Sequence, residues 1–148
     1  MSTAATTRFL IVDDFSTMRR ILRNLLAELG FRQVDEATDG RIALELMHST
    51  HFDFVISDVH MPNVNGFELL QRIRADETTR STPVLLVTGE ARKDDFVQAA
   101  RLGANGIITK PLTKSALEEK VRNILLSPLA WPGIPSAPRP ETRRQAIA

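Results

Sequence analysis

Five short apolar runs alternate with five helical patterns along the 148 residues of the chain. Residues 9–12 (FLIV) are wholly apolar, as a strand buried on both faces requires. Met18, Ile21, Leu22, Leu25, Leu26 and Leu29 then recur at helical spacing, and Gly30 closes the pattern. A weaker strand is predicted over Gln33–Ala37. After the Asp39-Gly40 turn, a helix carries Ile42, Ala43, Leu46 and Met47 on one stripe.

The third strand is predicted over residues 52–57, and a short helix over 66–74 with Phe67, Leu69, Leu70 and Ile73 turned inward. Residues 83–87 (PVLLV) form the fourth strand, with proline at its start, where a missing N–H costs least. A fourth helix over 91–102 is expected to bury Phe96, Val97 and Ala100. Gly106–Thr109 is a short fifth strand. The last helix opens near Thr113, a good N-cap, with Leu112 and Leu117 at the spacing of a hydrophobic staple.

Strands alternating with helices of this length imply an α/β fold: a doubly wound, five-stranded parallel sheet between two layers of helices. In such sheets ligands bind at the carboxyl ends of the strands. Residues 1–7 are small and polar and lack the apolar core of a signal peptide, so a disordered N-terminus is expected. The folded part is placed at 8–127. From Pro128 onward the composition changes, with five of the eight prolines falling in this segment. An extended, disordered or docked tail over 128–148 is expected, with Trp131 as the residue able to dock.

Composition narrows the classes. The net charge of +1 calls for neither nucleic acid nor an anionic membrane as partner. The absence of cysteine excludes disulfides and thiolate metal sites. No apolar run is long enough to span a bilayer, so a soluble cytoplasmic protein is expected.

The strand ends carry the chemistry. Strand one ends in Asp13-Asp14, strand three in Asp58, strand four in Thr88 and strand five in Lys110-Pro111. A single charged residue after a strand is ordinarily the first solvated position of a loop; four of five strands ending so is a pattern. Three gathered carboxylates repel one another unless a cation relieves them. Oxygen donors alone favour a hard ion, and few carboxylates plus water suit Mg²⁺. With lysine and threonine to bind further oxygens, the set fits phosphoryl transfer onto an aspartate.

These residues resemble the response-regulator receiver family, and its chemotaxis members in particular. The likeness is carried by Val12-Asp-Asp-Phe-Ser-Thr-Met-Arg-Arg-Ile21, by Ser57-Asp58 followed by Met61-Pro62-Asn63, by Ile73-Arg-Ala-Asp76 and by Ala116-Leu-Glu-Glu-Lys120. It covers roughly residues 7–127. The resemblance implies that Asp58 is the phosphoacceptor and that Asp13, Asp58 and the backbone carbonyl of His60 ligate Mg²⁺, with Asp14 acting through water. It implies further that Thr88 and Lys110 bind the phosphoryl group, that the Lys110–Pro111 bond is cis, and that His60 and Glu90 tune phosphate lifetime. The implied output face includes Lys93, Ile107 and Lys120. The implied partners are a sensor histidine kinase, a flagellar motor switch or other chemotaxis protein, and a phosphatase. With no effector domain after Leu126, output is expected through protein contact.

Departures from the family pattern shift attention to the readout. Ile107 stands where chemotaxis receivers carry an aromatic residue, and His60 where they carry Asn; its imidazole either meets the phosphate or is solvated in a loop. Gly89 stands where Ala is common and leaves room beside Thr88. Arg19 and Arg20 either touch phosphate-bearing partners or are solvated on the helix surface. His48 and His51 lack the spacing of metal ligands, and Arg92-Lys93-Asp94-Asp95 reads as a solvated first helical turn. Two other functions compete. An aspartyl-nucleophile phosphatase needs an acid–x–acid motif after strand one, whereas Asp13 and Asp14 are adjacent. A flavodoxin-like carrier needs a Gly/Ser/Thr-rich phosphate loop there, whereas Asp13-Asp14-Phe15 repels phosphate.

Overall fold

The computed structural model describes residues 6–89 and 92–126. The expectations for the N-terminal five residues, for Glu90 and for the tail over 128–148 lie outside the described residues.

The chain runs β1 (Arg8–Val12), α1 (Ser16–Glu28), β2 (Gln33–Ala37), α2 (Gly40–Ser49), β3 (Phe54–Asp58), α3 (Gly66–Ala75), β4 (Val84–Thr88), α4 (Lys93–Arg101), β5 (Gly106–Thr109) and α5 (Lys114–Leu126). The strands form one parallel sheet in the order β2-β1-β3-β4-β5. Alternate residues of each strand point to opposite faces, and both faces are covered. Phe9, Ile11, Phe54, Ile56, Leu85, Val87 and Ile108 meet α1 and α5 through Leu22, Leu26, Leu117, Val121 and Ile124. Leu10, Val12, Val55, Val84, Leu86 and Ile107 meet α2, α3 and α4 through Ala43, Met47, Leu69, Leu70, Ile73 and Ala99. Two apolar cores therefore lie back to back across the sheet.

Local chemistry sets the helix ends. Asp39 caps α2 by accepting from the Ile42 N–H, and Asn65 and Glu68 form a reciprocal capping box on α3. Thr113 caps α5 by accepting from the Ala116 N–H, as its sequence position implies. Leu112 and Leu117 both pack into the core beneath that helix.

Some element bounds and one buried face differ from the sequence reading. Strands β3 and β4 start two and one residues later than expected and each runs one residue further, so Asp58 and Thr88 are the last strand residues. Helix α4 starts at Lys93, two residues late. Val97 is exposed, and Ala99 joins Ala100 in the interior instead, because the stripe facing the sheet is rotated towards the small residues.

At the amino-terminal pole of β4, the guanidinium of Arg74 gathers two loops, the one before β4 and the one before β5. It donates to the carbonyls of Gly103 (3.0 Å), Arg80 (3.0 Å) and Thr82 (2.6 Å) and to Asn105 Oδ1 (2.9 Å). The same Asn105 oxygen accepts from the Val84 N–H at 2.8 Å. Among the described residues no helix is long and apolar enough to cross a membrane.

Candidate functional site

The sheet order creates the site. The connection from β1 leads to β2 on one side and that from β3 to β4 on the other, so the loops part between them. Val12 and Ser57 are paired in register, which brings Asp13 level with Asp58 at the mouth of that crevice. Carboxylate oxygens of Asp13, Asp14 and Asp58 lie within 4.8 Å of one another. Asp13 and Asp58 are buried, Asp58 with 7% of its surface exposed, while Asp14 faces solvent.

Burial pushes the Asp13 carboxyl above the usual aspartate range, against the Phe15 N–H that Oδ1 accepts at 2.9 Å; the neighbouring Asp58 and Asp14 charges push the same way. Burial also raises Asp58, and the Lys110 ammonium, 3.4 Å from Oδ1, offsets it in part. Lys110 reaches the crevice because its N–H donates to the Thr88 carbonyl at 2.9 Å, which extends the β4–β5 ladder by one step. Thr88 is fully buried beside it. The Lys110–Pro111 bond is cis.

The donor set fits a hard divalent cation. Asp13 Oδ2 is buried without a hydrogen-bond partner, a position that costs free energy unless a ligand completes it. Three converging carboxylates, two of them held above their ordinary pKa, supply the negative field such an ion would neutralise.

Glycine 66 permits a close approach beneath the site. Its N–H donates to the Val59 carbonyl at 2.8 Å, and a Cβ there would meet Val59 Cα at 2.8 Å and the Asp58 carbonyl oxygen. Beyond it, Asn63 adopts φ 65° and donates to Asp39 Oδ2 at 3.2 Å, tying the loop after β3 to the start of α2.

His60 is exposed in the loop after Asp58. Ile107 is only 3% exposed and sits in the core against α4, so its side chain is inside the fold and not on the outer surface of the α4–β5–α5 edge. Lys93 is exposed on α4 and Lys120 half-buried on α5, on the two helices that flank edge strand β5. His48 lies 3.7 Å from Asp76 and His51 3.2 Å from Asp53, both at the opposite pole. Phe15, 66% exposed, stands at the mouth of the crevice.

Arg19 departs from both of its sequence readings. Its side chain is 16% exposed and pairs with Glu36 Oε1 at 2.9 Å. It also donates to the Asp13 carbonyl at 2.8 Å. No spacing rule in the sequence marks this contact; it exists because β2 lies beside β1.

The family model described as the response regulator receiver domain matches residues 9–122. The chemotaxis protein CheY of Pseudomonas aeruginosa is 50% identical over 117 residues, covering 79% of this chain and 94% of its own. The chemotaxis protein CheY-3 of Vibrio cholerae is likewise 50% identical over 117 residues, covering 79% and 90%. Among solved structures, Vibrio cholerae CheY4 superposes with a TM-score of 0.76 at 32% identity, over 81% of this chain and 99% of that one. The receiver domain of a Syntrophus aciditrophicus signal transduction histidine kinase gives 0.75 at 32%, over 82% and 91%. A parallel sheet ordered 2-1-3-4-5, an acidic crevice at its switch point, and a family match across nearly all the described residues lead to one conclusion: the chain belongs to the response regulator receiver domain family.

Proposed function

We propose that the chain is a phosphorylation switch in which Asp58 accepts a phosphoryl group from the phosphohistidine of a sensor kinase or from a small acyl phosphate. The carrying observation is the convergence of Asp13, Asp14 and Asp58 within 4.8 Å, with the Lys110 ammonium 3.4 Å from Asp58. An Asp58 carboxylate oxygen attacks phosphorus; the new O–P bond forms as the donor's N–P or O–P bond breaks, and the donor leaves with the electron pair. Lys110 holds the acceptor oxygen and balances charge on the transferred group. The Thr88 hydroxyl, at the end of the neighbouring strand, binds a second phosphoryl oxygen. Asp13, Asp58 and the His60 carbonyl would hold Mg²⁺, with Asp14 acting through water. Held there, the ion would supply neutralisation of phosphoryl charge.

The names of the relatives support a chemotaxis role. On this reading the phosphorylated protein changes its affinity for a flagellar motor switch or another chemotaxis protein through the α4–β5–α5 edge, with Lys93 and Lys120 outside and Ile107 beneath, and a phosphatase resets it. The protein works in the cytoplasm. Ile107, smaller than an aromatic ring, couples the site to that edge more weakly, and Ile107→Tyr would strengthen the difference in partner affinity between the two phosphorylation states. His60 and Glu90 set the lifetime of the phosphate, so His60→Asn changes its rate of loss.

The test is incubation with Mg²⁺ and acetyl phosphate, followed by intact mass. The wild type gains one phosphoryl group and Asp58→Asn gains none. Uptake by Asp58→Asn would remove the reading, and turnover of a stable phosphomonoester would favour a hydrolase.

A further inference from the structure

The geometry points to Arg19 as a positioning residue that sets the affinity of the acidic crevice for its cation by fixing the backbone of Asp13; this rests on the Mg²⁺-dependent reading above. Asp13 is held at three points. Its N–H donates to the Ala37 carbonyl at 3.1 Å, its Oδ1 accepts from the Phe15 N–H at 2.9 Å, and its carbonyl accepts from Arg19 at 2.8 Å. Only Oδ2 is left, buried and without a partner. The first two contacts come from backbone groups next to the site, and the third from a side chain one turn into α1.

That side chain is itself clamped. Glu36, near the end of β2, accepts from Arg19 Nε at 2.9 Å and from Arg23 Nε at 2.7 Å, and Arg23 also donates to the Val34 carbonyl at 2.9 Å. A guanidinium with five donors in a rigid plane can serve Glu36 and the Asp13 carbonyl at once. The Arg19–Glu36–Arg23 chain thus ties α1 and β2 to the residue whose free oxygen faces the cation. Arg19 exerts its effect through Asp13 and touches no reacting atom. Partners that orient a metal ligand typically carry about 10- to 100-fold of the affinity.

Arg23 supplies the control, because it shares Glu36 but gives its second hydrogen bond to the Val34 carbonyl and not to Asp13. Mg²⁺ binding to the full chain is measured by titration calorimetry, and unfolding is followed without metal. Arg19→Ala is expected to weaken Mg²⁺ about tenfold. Arg23→Ala lowers the melting temperature similarly and leaves Mg²⁺ affinity as in the wild type. Arg19→Lys, which keeps one donor, recovers part of the loss. At saturating Mg²⁺, Arg19→Ala takes up a phosphoryl group from acetyl phosphate at the wild-type rate. Unchanged Mg²⁺ affinity in Arg19→Ala, or an equal loss in Arg23→Ala, overturns the proposal, as does uptake that stays slow at saturating Mg²⁺. If Arg19→Ala does not fold, Arg19→Gln replaces it with the same outcomes. A wild type that binds no Mg²⁺ would defeat the reading of the site itself, a result distinct from any difference among variants.

Discussion

Lys110 reaches Asp58 across an intervening strand: its Nζ lies 3.4 Å from Oδ1 although β4 separates β5 from β3. Burial raises the Asp58 pKa, and the two strongest opposing influences both come from this lysine. Removing the ammonium as Lys110→Met is therefore expected to move Asp58 still higher. Carboxyl-carbon NMR titration of the metal-free protein measures this; an Asp58 that titrates as in the wild type would show that the pair is too well solvated to matter.

Without metal, burial makes ionisation of Asp58 costly at neutral pH. Asp58→Asn removes that cost and is expected to raise the metal-free melting temperature. Mg²⁺ at a hundred times its Kd would stabilise the wild type by about 2.7 kcal/mol. The Asn variant would gain much less. Thermal unfolding with and without Mg²⁺ reads both effects, and an equal Mg²⁺ response in the two proteins would contradict the assignment of Asp58 as a ligand.

Acidic groups at the two ends of the Arg19 chain respond to pH with opposite sign. Burial would raise Glu36, but the hydrogen bonds from Arg23 and Arg19 outweigh it and hold its pKa below the usual glutamate value. Its stabilising contribution is present above that usual value and is lost as pH falls through its lowered pKa. Asp13 and Asp58 lie above the usual aspartate value, so their ionisation costs stability at neutral pH. That cost fades as pH falls through their raised pKa values and is gone below the ordinary one. Urea unfolding of the metal-free protein from neutral to acid pH is expected to show Glu36→Gln deficient at neutral pH and converging on the wild type in acid. Asp13→Asn is expected to be more stable at neutral pH and to converge earlier in the descent.

Two glycines near the site are expected to respond oppositely to a methyl group. At Gly89 a Cβ would meet, among the described residues, only the Lys110 side chain, at 3.9 Å, so Gly89→Ala is expected to stabilise by about 0.4–1 kcal/mol through the unfolded state. At Gly66 the Cβ would press on the Asp58 and Val59 backbone, and Gly66→Ala is expected to cost about 1–3 kcal/mol and to disturb the acceptor. Denaturant midpoints of the two variants settle the signs.

Most of this architecture is legible along the chain because each strand is a short apolar run and each helix a stripe with a cap. Asp13, Asp14, Asp58 and Lys110 converge as their strand-end positions imply, and Lys110–Pro111 is cis. What the sequence does not carry is rotation and adjacency. Val97 and Ala99 are both compatible with the apolar stripe of α4, and only packing against the sheet selects the smaller residue for the interior. Arg19 looks like a solvated helix residue until β2 is placed beside β1, which brings Glu36 within reach. Asp58 and Thr88 read as loop residues because polar side chains end an apolar run, yet the ladder continues through them.

The guanidinium of Arg74 leaves the far pole with a shared fastener. It holds Arg80, Thr82, Gly103 and Asn105, and Asn105 in turn holds the start of β4. Segments joined this way are expected to open as one cooperative unit. Slow amide exchange at Val84 and at the turn before β5 would therefore share one opening free energy, and the pole would behave as a single hinge-free block while the crevice at the other end changes its ligand.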